Sequence, residues 1–469
     1  MYNAYITRIK NLHKHPNADR LQIGECFGNA VIVSMEYEDN QLGVYFPSDG
    51  QLSVEFAEVN NLLRKKDENG NSIGGYMDPD KRNVTAIKLR GEKSDGLFLP
   101  LKSLESFGDI TTLREGDRID NFNGHEICCK YIPKRNIRHG HPSSGNKTRK
   151  KKVPVAPLFT EHADTEQLAY NLGAFKPGDE IEITLKMHGT SQRTGYLPVL
   201  RGYKRTLWDK ILRKDGTPIY DWGYVSGTRR TVLEDFEGGY YGSNAFREAH
   251  SKFFEGKLNK GETVYYEVVG FTDNGAPIMS SCDNKKLNDK EFIKQYGDTT
   301  VFSYGCDPDF TETTTKHFGD ISLTSCVTKG QSDIYVYRMT MTNEDGFAVE
   351  YTPDFMRYRC EQMGVKTVPV FEKFTIPDYI QLPDDVGSLQ EINAGEYVKN
   401  IAEKYYDGPD PIGKTHIREG VVVRIINRPK FCAYKHKNWY FKALEGIVKV
   451  EAETPDMEEA ETIQNDLEV

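Results

Sequence analysis

The chain has 469 residues, 38% hydrophobic and 11% aromatic, enough for large buried cores and, by length, about two to three domains. Its formal net charge of -9 and pI near 5.8 exclude blanket electrostatic affinity for nucleic acid, so any such contact must be local. No apolar run approaches the roughly 18 to 20 residues that span a bilayer. Eight scattered cysteines, with no C-x-x-C pair and no secretory leader at the polar N-terminus, lead to the expectation of a soluble cytoplasmic protein with reduced thiols and no membrane partner.

From Tyr5 to about Asp120 short strands succeed one another (NAYITRI, RLQIGEC, NAVIVSM, QLGVYFP, VTAIKLRG, DGLFLPL), each bounded by Asn, Gly, Asp or Pro. The pattern predicts a small all-β barrel or sandwich over residues 1–131. Residues 132–153 then hold eight Lys or Arg and no acid among Gly, Pro and Ser, which reads as a flexible basic linker, suited to phosphate contacts or simply solvated. From 154 to 450 strands and helices alternate without an internal repeat, predicting an α+β domain that carries the chemistry. Within it Thr352 as cap, Pro353 in the first turn, Met356, Cys360 and Met363 on one face and Gly364 at the end predict a packing helix. Residues 451–469 carry eight acids and no base, and predict a tail that is solvated or shields the basic linker.

Lys-x-x-Gly occurs at Lys88, Lys93, Lys186, Lys294 and Lys316, so that pattern alone selects none of them. Before Lys186 the run Glu180-Ile-Glu-Ile-Thr-Leu185 alternates: Ile181, Ile183 and Leu185 face a core, while Glu182, Thr184 and Lys186 face the other side. A strand end thereby presents the lysine into a polar pocket. Gly189 permits a tight turn close to a phosphate, and Thr190 and Ser191 add hydroxyls beside it. Read alone, the segment fits a surface lysine before a turn far better than a reactive one.

Four segments follow in order: Tyr265-Tyr-Glu-Val-Val-Gly270, Asp333-Ile-Tyr-Val-Tyr337, Arg418-Glu-Gly-Val-Val-Val-Arg424 and Tyr434-Lys-His-Lys-Asn438. With the Lys186 segment they resemble motifs I, III, IIIa, IV and V of the covalent nucleotidyltransferases. Closest are the ATP-dependent RNA ligases of the double-strand-sealing type, whose motif I looks like Lys-x-His-Gly-Thr-Asn/Ser and motif V like Lys-x-Lys-Asn. The resemblance covers residues 156 to 445. It implies an α+β fold: a nucleotidyltransferase (ATP-grasp-like ligase) domain of antiparallel sheets and helices, preceded by a small all-β OB-like barrel. His15-Pro16-Asn17-Ala18-Asp19-Arg20-Leu21 is similar to the start of tRNA-binding OB domains. DNA ligases and capping enzymes usually carry an OB domain after motif V, where this chain has 32 residues beyond Lys437.

The resemblance implies ATP and Mg2+ or Mn2+ as cofactors and RNA as partner, as a nicked duplex or splinted ends. Three steps follow: Lys186 takes AMP from ATP, AMP passes to an RNA 5′-phosphate, and a 3′-hydroxyl displaces AMP. It places His188, Gly189, Arg230, Glu267, Tyr337, Glu419, Lys435 and Lys437 around the nucleotide, with Tyr337 stacked on adenine and Glu267 and Glu419 on the metal. Thr190, Ser191, Arg230 and Arg424 would touch phosphate or RNA. A lysine with an ordinary pKa of about 10.4 must be made to attack as the free amine, and positive charge from Lys435, Lys437 and a metal suits that need. Lys435 and Lys437, two apart on a strand, point to one face and His436 to the other. Arg338 stands where relatives often carry an acid, and an insertion-like stretch, Lys204 to Trp222, precedes Arg230. A DNA ligase, a GTP-dependent capping guanylyltransferase and, in a different class, a non-catalytic RNA-binding protein with a decayed site remain alternatives.

Overall fold

A computed structural model describes the chain except residues 1, 67–71, 132–152, 163–164, 209–215, 234–235, 237–243, 277, 280–288, 297–310, 319–320, 329–331, 382–388, 392, 413–416, 445–447 and 451–469. The expected basic linker, apart from Val153, and the acidic tail lie outside the described residues. Contacts divide the chain into two compact units, one of 1–144 with 287–293 and 442–469, the other of 145–286 with 294–441. The division read from sequence kept 154–450 in one piece; here 287–293 and 442–450 go with the first unit.

In the first unit the strands Leu97–Pro100, Leu42–Phe46, Ala4–Arg8 and Arg118–Ile119 form an antiparallel sheet in that order. Lys10–Lys14, Leu21–Cys26 and Asn29–Ser34 form a second antiparallel set. Ala4, Ile6, Val44, Phe46, Leu99 and Ile119 fill the core between the turns. The helix Val54–Val59 starts where the Ser53 hydroxyl accepts from the Phe56 N–H at 3.0 Å, and it adds Phe56 and Ala57 to that core. Val448–Val450 returns to pair in parallel with Ala86–Lys88. In the same unit the Lys88 amine, buried, lies 2.8 Å from Asp289, which commits this Lys-x-x-Gly lysine to an ion pair.

Besides the two-stranded pairs Thr311–Phe318 with Ile321–Thr328 and Tyr379–Gln381 with Leu389–Glu391, the second unit holds two main, mostly antiparallel sheets. The smaller has the order Glu166–Gln167, Cys432–Lys437, Gly420–Ile425, Glu180–Leu185, Val370–Thr375. The larger runs Val232–Leu233, Thr217–Gly227, Thr190–Lys204, Glu262–Gly270, Ser332–Thr342, Ala348–Glu350, with Lys366–Thr367 parallel to Ser332–Thr342. The chain crosses from one sheet to the other between Leu185 and Thr190, so Lys186 sits at their junction. Ile181 and Ile183 pack with Val421, Val423 and Ile425 against Val398, Ile401 and Ala402 of the helix Ala394–Glu403. The opposite strand face is covered too: Glu182 is buried and paired with Arg357 at 2.8 Å and Lys373 at 3.3 Å. Arg357 belongs to the helix Pro353–Met363, capped by the Thr352 hydroxyl at 3.3 Å from the Phe355 N–H and ended by Gly364 at φ 68°. Met356, Cys360 and Met363 drive that helix onto the larger sheet.

The Glu262 carboxylate is fully buried and accepts from Arg359 Nε and Nη2, each at 2.8 Å, and from the Tyr351 hydroxyl at 3.1 Å. Burial alone would raise its pKa, but the Arg359 hydrogen bonds overcome this and hold it below the usual carboxylate range. Arg359→Ala would strand the charge, and urea unfolding should show a loss of roughly 3–5 kcal/mol.

Candidate active site

The Glu419 carboxylate, 3% exposed, gathers three partners. Lys186 Nζ lies 2.6 Å and Lys437 Nζ 3.1 Å from its Oε1, while His188 Nδ1 lies 3.2 Å from Oε2. Burial opposes ionisation of Glu419, but Lys186, Lys437 and His188 together outweigh it and hold the pKa well below the ordinary value. The main chain fixes the same group: the Lys186 N–H donates to the Gly420 carbonyl at 3.0 Å and the Asn438 N–H to the Glu419 carbonyl at 2.9 Å. Gly420 has φ 144°, and a Cβ there would lie 2.1 Å from the His436 carbonyl oxygen, so a side chain would push the two strands apart. Gly420 pairs with Lys437 and Val422 with Lys435, which puts both lysines on one face. Asn438 also donates to Asp407 at 2.6 Å, and the Tyr296 hydroxyl reaches the same carboxylate, clipping the turn before Gly408 to the end of the lysine strand.

Gly189 makes the crossing between the sheets possible, since a Cβ there would meet the Val268 carbonyl oxygen at 2.4 Å. Beyond it Ser191 pairs with Glu267, and Glu267 with Tyr335. The ladder then skips Tyr337: Tyr266 pairs with Val336 but Tyr265 with Arg338, so Tyr337 is the extra residue of a β-bulge, a device that re-aims a side chain. The Tyr337 hydroxyl is 2.9 Å from Ser191 Oγ and its ring packs against His162 at 5.1 Å. Burial of the Glu267 carboxylate pushes its pKa up to about 7, with Glu419 adding to the rise and Lys186, Arg229 and His188 opposing it.

Other expected residues have different destinations. The Thr190 hydroxyl accepts from Arg247 Nη2 at 2.6 Å and the Ser191 carbonyl from Arg247 Nη1 at 3.2 Å. Arg230 is exposed in the bend 228–230 and its carbonyl accepts from Arg193 at 3.5 Å. It is the neighbouring Arg229 whose charge acts on Glu267 and Tyr337. Arg424 is not brought to Lys186: it lies four residues along the strand from Gly420, about 13 Å away. Its guanidinium donates to the Tyr351 carbonyl at 3.1 Å, near Glu350 at 3.9 Å and 5.0 Å from the Phe431 ring. Arg338 is held by Glu350, with Nε at 3.0 Å from both carboxylate oxygens.

Two residues escaped the sequence reading. Arg247, buried in the helix Ala245–Phe253, anchors the start of the Thr190 strand, yet nothing in FREAHSKF marks an inward arginine. Asp410 is buried in the turn before the Glu419 strand; burial pushes its pKa up to about 7 against the Ile412 N–H bond and the charges of Arg418 and His188. In sequence it reads as one more loop acid beside Gly and Pro.

Among the described residues no cluster of three or more His, Cys, Asp or Glu could hold a metal ion. Glu267 and Glu419 are two carboxylates, and a hard cation bound by one or two carboxylates takes the rest of its shell from phosphate oxygens and water. The donor set therefore fits a cation that arrives with a polyphosphate and does not fit a cage made by protein alone.

No family model matches the sequence, and no curated relative does. Solved structures share the fold. The Naegleria gruberi RNA ligase with pyrophosphate aligns over 94% of this chain and 97% of its own, with a TM-score of 0.51 at 14% identity. A lysine-to-alanine mutant of that ligase with ATP and Mn aligns over 95% and 98%, with a TM-score of 0.52 at 16% identity. This is an RNA ligase fold. The RNA ligase fold accounts for the expected α+β class, with mostly antiparallel sheets, few helices and a small β region at the N-terminus.

Because Glu267 keeps its proton up to about pH 7 in the folded chain, against an ordinary value of 4.5, the folded state binds more protons than the unfolded one between those values. Its contribution to stability is therefore full below the lower value and is lost as pH rises through the higher. Glu267→Gln removes this dependence. Urea midpoints measured from about pH 5 to about pH 8 should fall more for the unaltered chain than for the variant.

Proposed function

We propose that the chain is an ATP-dependent RNA ligase that seals 3′-hydroxyl and 5′-phosphate RNA ends or nicks through lysyl-AMP and RNA-adenylate intermediates. The observation that carries this reading is the pair of amines, Lys186 and Lys437, on one buried oxygen of Glu419 at 2.6 and 3.1 Å, inside a fold shared with an RNA ligase. The Naegleria gruberi ligase was solved with ATP and Mn and with AMP and Mn, which supports a nucleotide and a divalent cation here as well.

In the first step Lys186 Nζ attacks the α-phosphorus of ATP as the free amine. A P–N bond forms, the bond to the bridging oxygen breaks, and pyrophosphate leaves. Lys435 and Lys437, on one strand face, clamp the phosphates and offset the charge that builds on the leaving group. Glu267 and Glu419 would hold the cation, which supplies further neutralisation of phosphate charge. His188, edge-on to Phe441 at 4.6 Å, fixes the far side of Glu419, and Tyr337, aimed by its bulge, stacks on the adenine. AMP then passes to an RNA 5′-phosphate, for which the exposed bend with Arg229 and Arg230 offers guanidinium donors, and the RNA 3′-hydroxyl displaces AMP to make the phosphodiester. Arg424, bonded to Tyr351, has no part in this contact set. A nicked duplex or splinted ends in the cytoplasm are the proposed substrate and setting.

Incubation with ATP labelled at the α-phosphate should give an acid-stable protein label that Lys186→Ala abolishes and that Lys437→Ala lowers by roughly two orders of magnitude. If ATP leaves no Lys186-dependent label the reading fails, and if GTP labels better a capping guanylyltransferase takes its place. On nicked duplexes, sealing should need RNA at the 3′-hydroxyl terminus. Equal rates on all-DNA nicks would make the chain a DNA ligase.

A further inference from the structure

The strand that starts at Thr190 outruns its sheet. Residues Thr190–Gly195 pair on one side with the strand Glu262–Gly270. From Tyr196 to Lys204 the described partner is the strand Thr217–Gly227, which leaves a two-stranded ribbon roughly 30 Å long. Tyr220, Trp222 and Tyr224 alternate onto one face of it. Tyr196 stacks on Tyr224 at 4.6 Å and 16°, Trp222 lies 5.9 Å from Tyr196, and the Lys260 amine sits 5.3 Å from the Trp222 ring.

Past the last paired residues Leu207 and Trp208 are 77% and 72% exposed, next to exposed Arg201, Lys204 and Arg205. The described residues 196–208 and 216–224 carry three Lys or Arg against one Asp, in a chain whose net charge is -9. Local positive charge therefore reverses the sign of the whole. The exposed rings of Tyr203 and Trp208 beside Arg201, Lys204 and Arg205 suit one ligand chemistry above others, a polyanion that also offers flat apolar faces, which is unpaired nucleic acid. An apolar protein partner would not call for the flanking cations, and a duplex would keep its bases stacked on each other.

We propose that this ribbon binds single-stranded RNA and holds an unpaired flank of the RNA whose paired ends are being sealed. The proposal rests on the ligase reading, because the ribbon is continuous through Thr190 and Ser191 with the crossing that carries Lys186. An unpaired flank laid along it tethers the RNA next to the lysine.

Fluorescence anisotropy of the full chain with a short 5′-phosphorylated single-stranded RNA tests this, with Trp208→Ala and Lys204→Ala/Arg205→Ala as variants. Trp208 and both cations are exposed, so native thermal unfolding is expected and is checked first. Trp208→Ala should weaken binding about fivefold or more, as loss of one stacked base does. The double variant should flatten the salt dependence by about 1.4 in log–log slope, roughly 0.7 for each phosphate contact. Labelling by ATP should be unchanged in both. Affinities and slopes equal to those of the unaltered chain overturn the ribbon site, as does an equal loss on blunt duplex RNA. Absence of ATP labelling in the unaltered chain, with the binding losses intact, instead overturns the ligase reading and leaves the ribbon standing.

Discussion

Glu419 could not remain ionised in its buried position without compensation, and the compensation is what brings the site together. A carboxylate taken out of water loses several kcal/mol of solvation, repaid where opposite charges and hydrogen bonds meet it with good geometry. Here the opposite charges are Lys186 and Lys437, from two different strand ends, and the imidazole of His188 adds a third contact at 3.2 Å. The ionised carboxylate therefore acts as a template, fixing the spacing of two amines that would otherwise repel. Gly420 is part of the same constraint, since no other residue lets the Glu419 strand approach the Lys437 strand so closely at that point.

Around this template the backbone is arranged to bring side chains of two sheets to one place. The crossing at Lys186–Gly189 joins the sheets covalently, and the absence of a Cβ at Gly189 lets the second sheet begin tight against Val268. Arg247 then ties down the first two residues of the new strand, and Ser191 passes the restraint to Tyr337. The bulge matters because strict alternation would send Val336 and Tyr337 to opposite faces in register with Tyr266 and Tyr265. Inserting Tyr337 as an unpaired residue releases its ring from that register while Ser191 and His162 hold it. A chain of local bonds thus sets the position of a ring far from the lysine in sequence.

What could be read in the sequence followed local physical rules. Alternation in EIEITL gave the two faces of the Lys186 strand, and Thr352, Pro353 and Gly364 marked the bounds of a helix that the structure forms over Pro353–Met363. Those signals depend on neighbours a few residues away. The buried arginines were opaque for the opposite reason. Arg193, Arg247, Arg338 and Arg424 have partners 12 to 176 residues distant, and an arginine's residue type does not disclose whether a carbonyl, a carboxylate or an imidazole is waiting for it. Arg424 shows the difference well: alternation puts it on the face of Gly420 and Val422, but not under the Tyr351 carbonyl and Glu350 that take up its charge. The return of 287–293 and 442–450 to the first unit is equally non-local, and no composition shift accompanies it.

If, as proposed, this acidic chain handles a polyanion, it has to concentrate its positive charge, and the arrangement of this unit sequesters some cations and displays others. Arg338 and Arg424 are consumed by Glu350 and main-chain carbonyls, and Arg357 by Glu182, so they contribute little field at the surface. Lys186 and Lys437 share one carboxylate, which leaves a positive excess in a mostly buried place where screening by salt is weak. Arg229 and Arg230 stand on an exposed bend and the ribbon adds Arg201, Lys204 and Arg205 further out. Positive charge is thus graded from a salt-sensitive exterior to a salt-resistant interior. On the proposed reading, a nucleotide at the lysines should depend little on ionic strength, whereas a strand along the exterior should depend on it steeply, so the two binding events would be separable by salt alone.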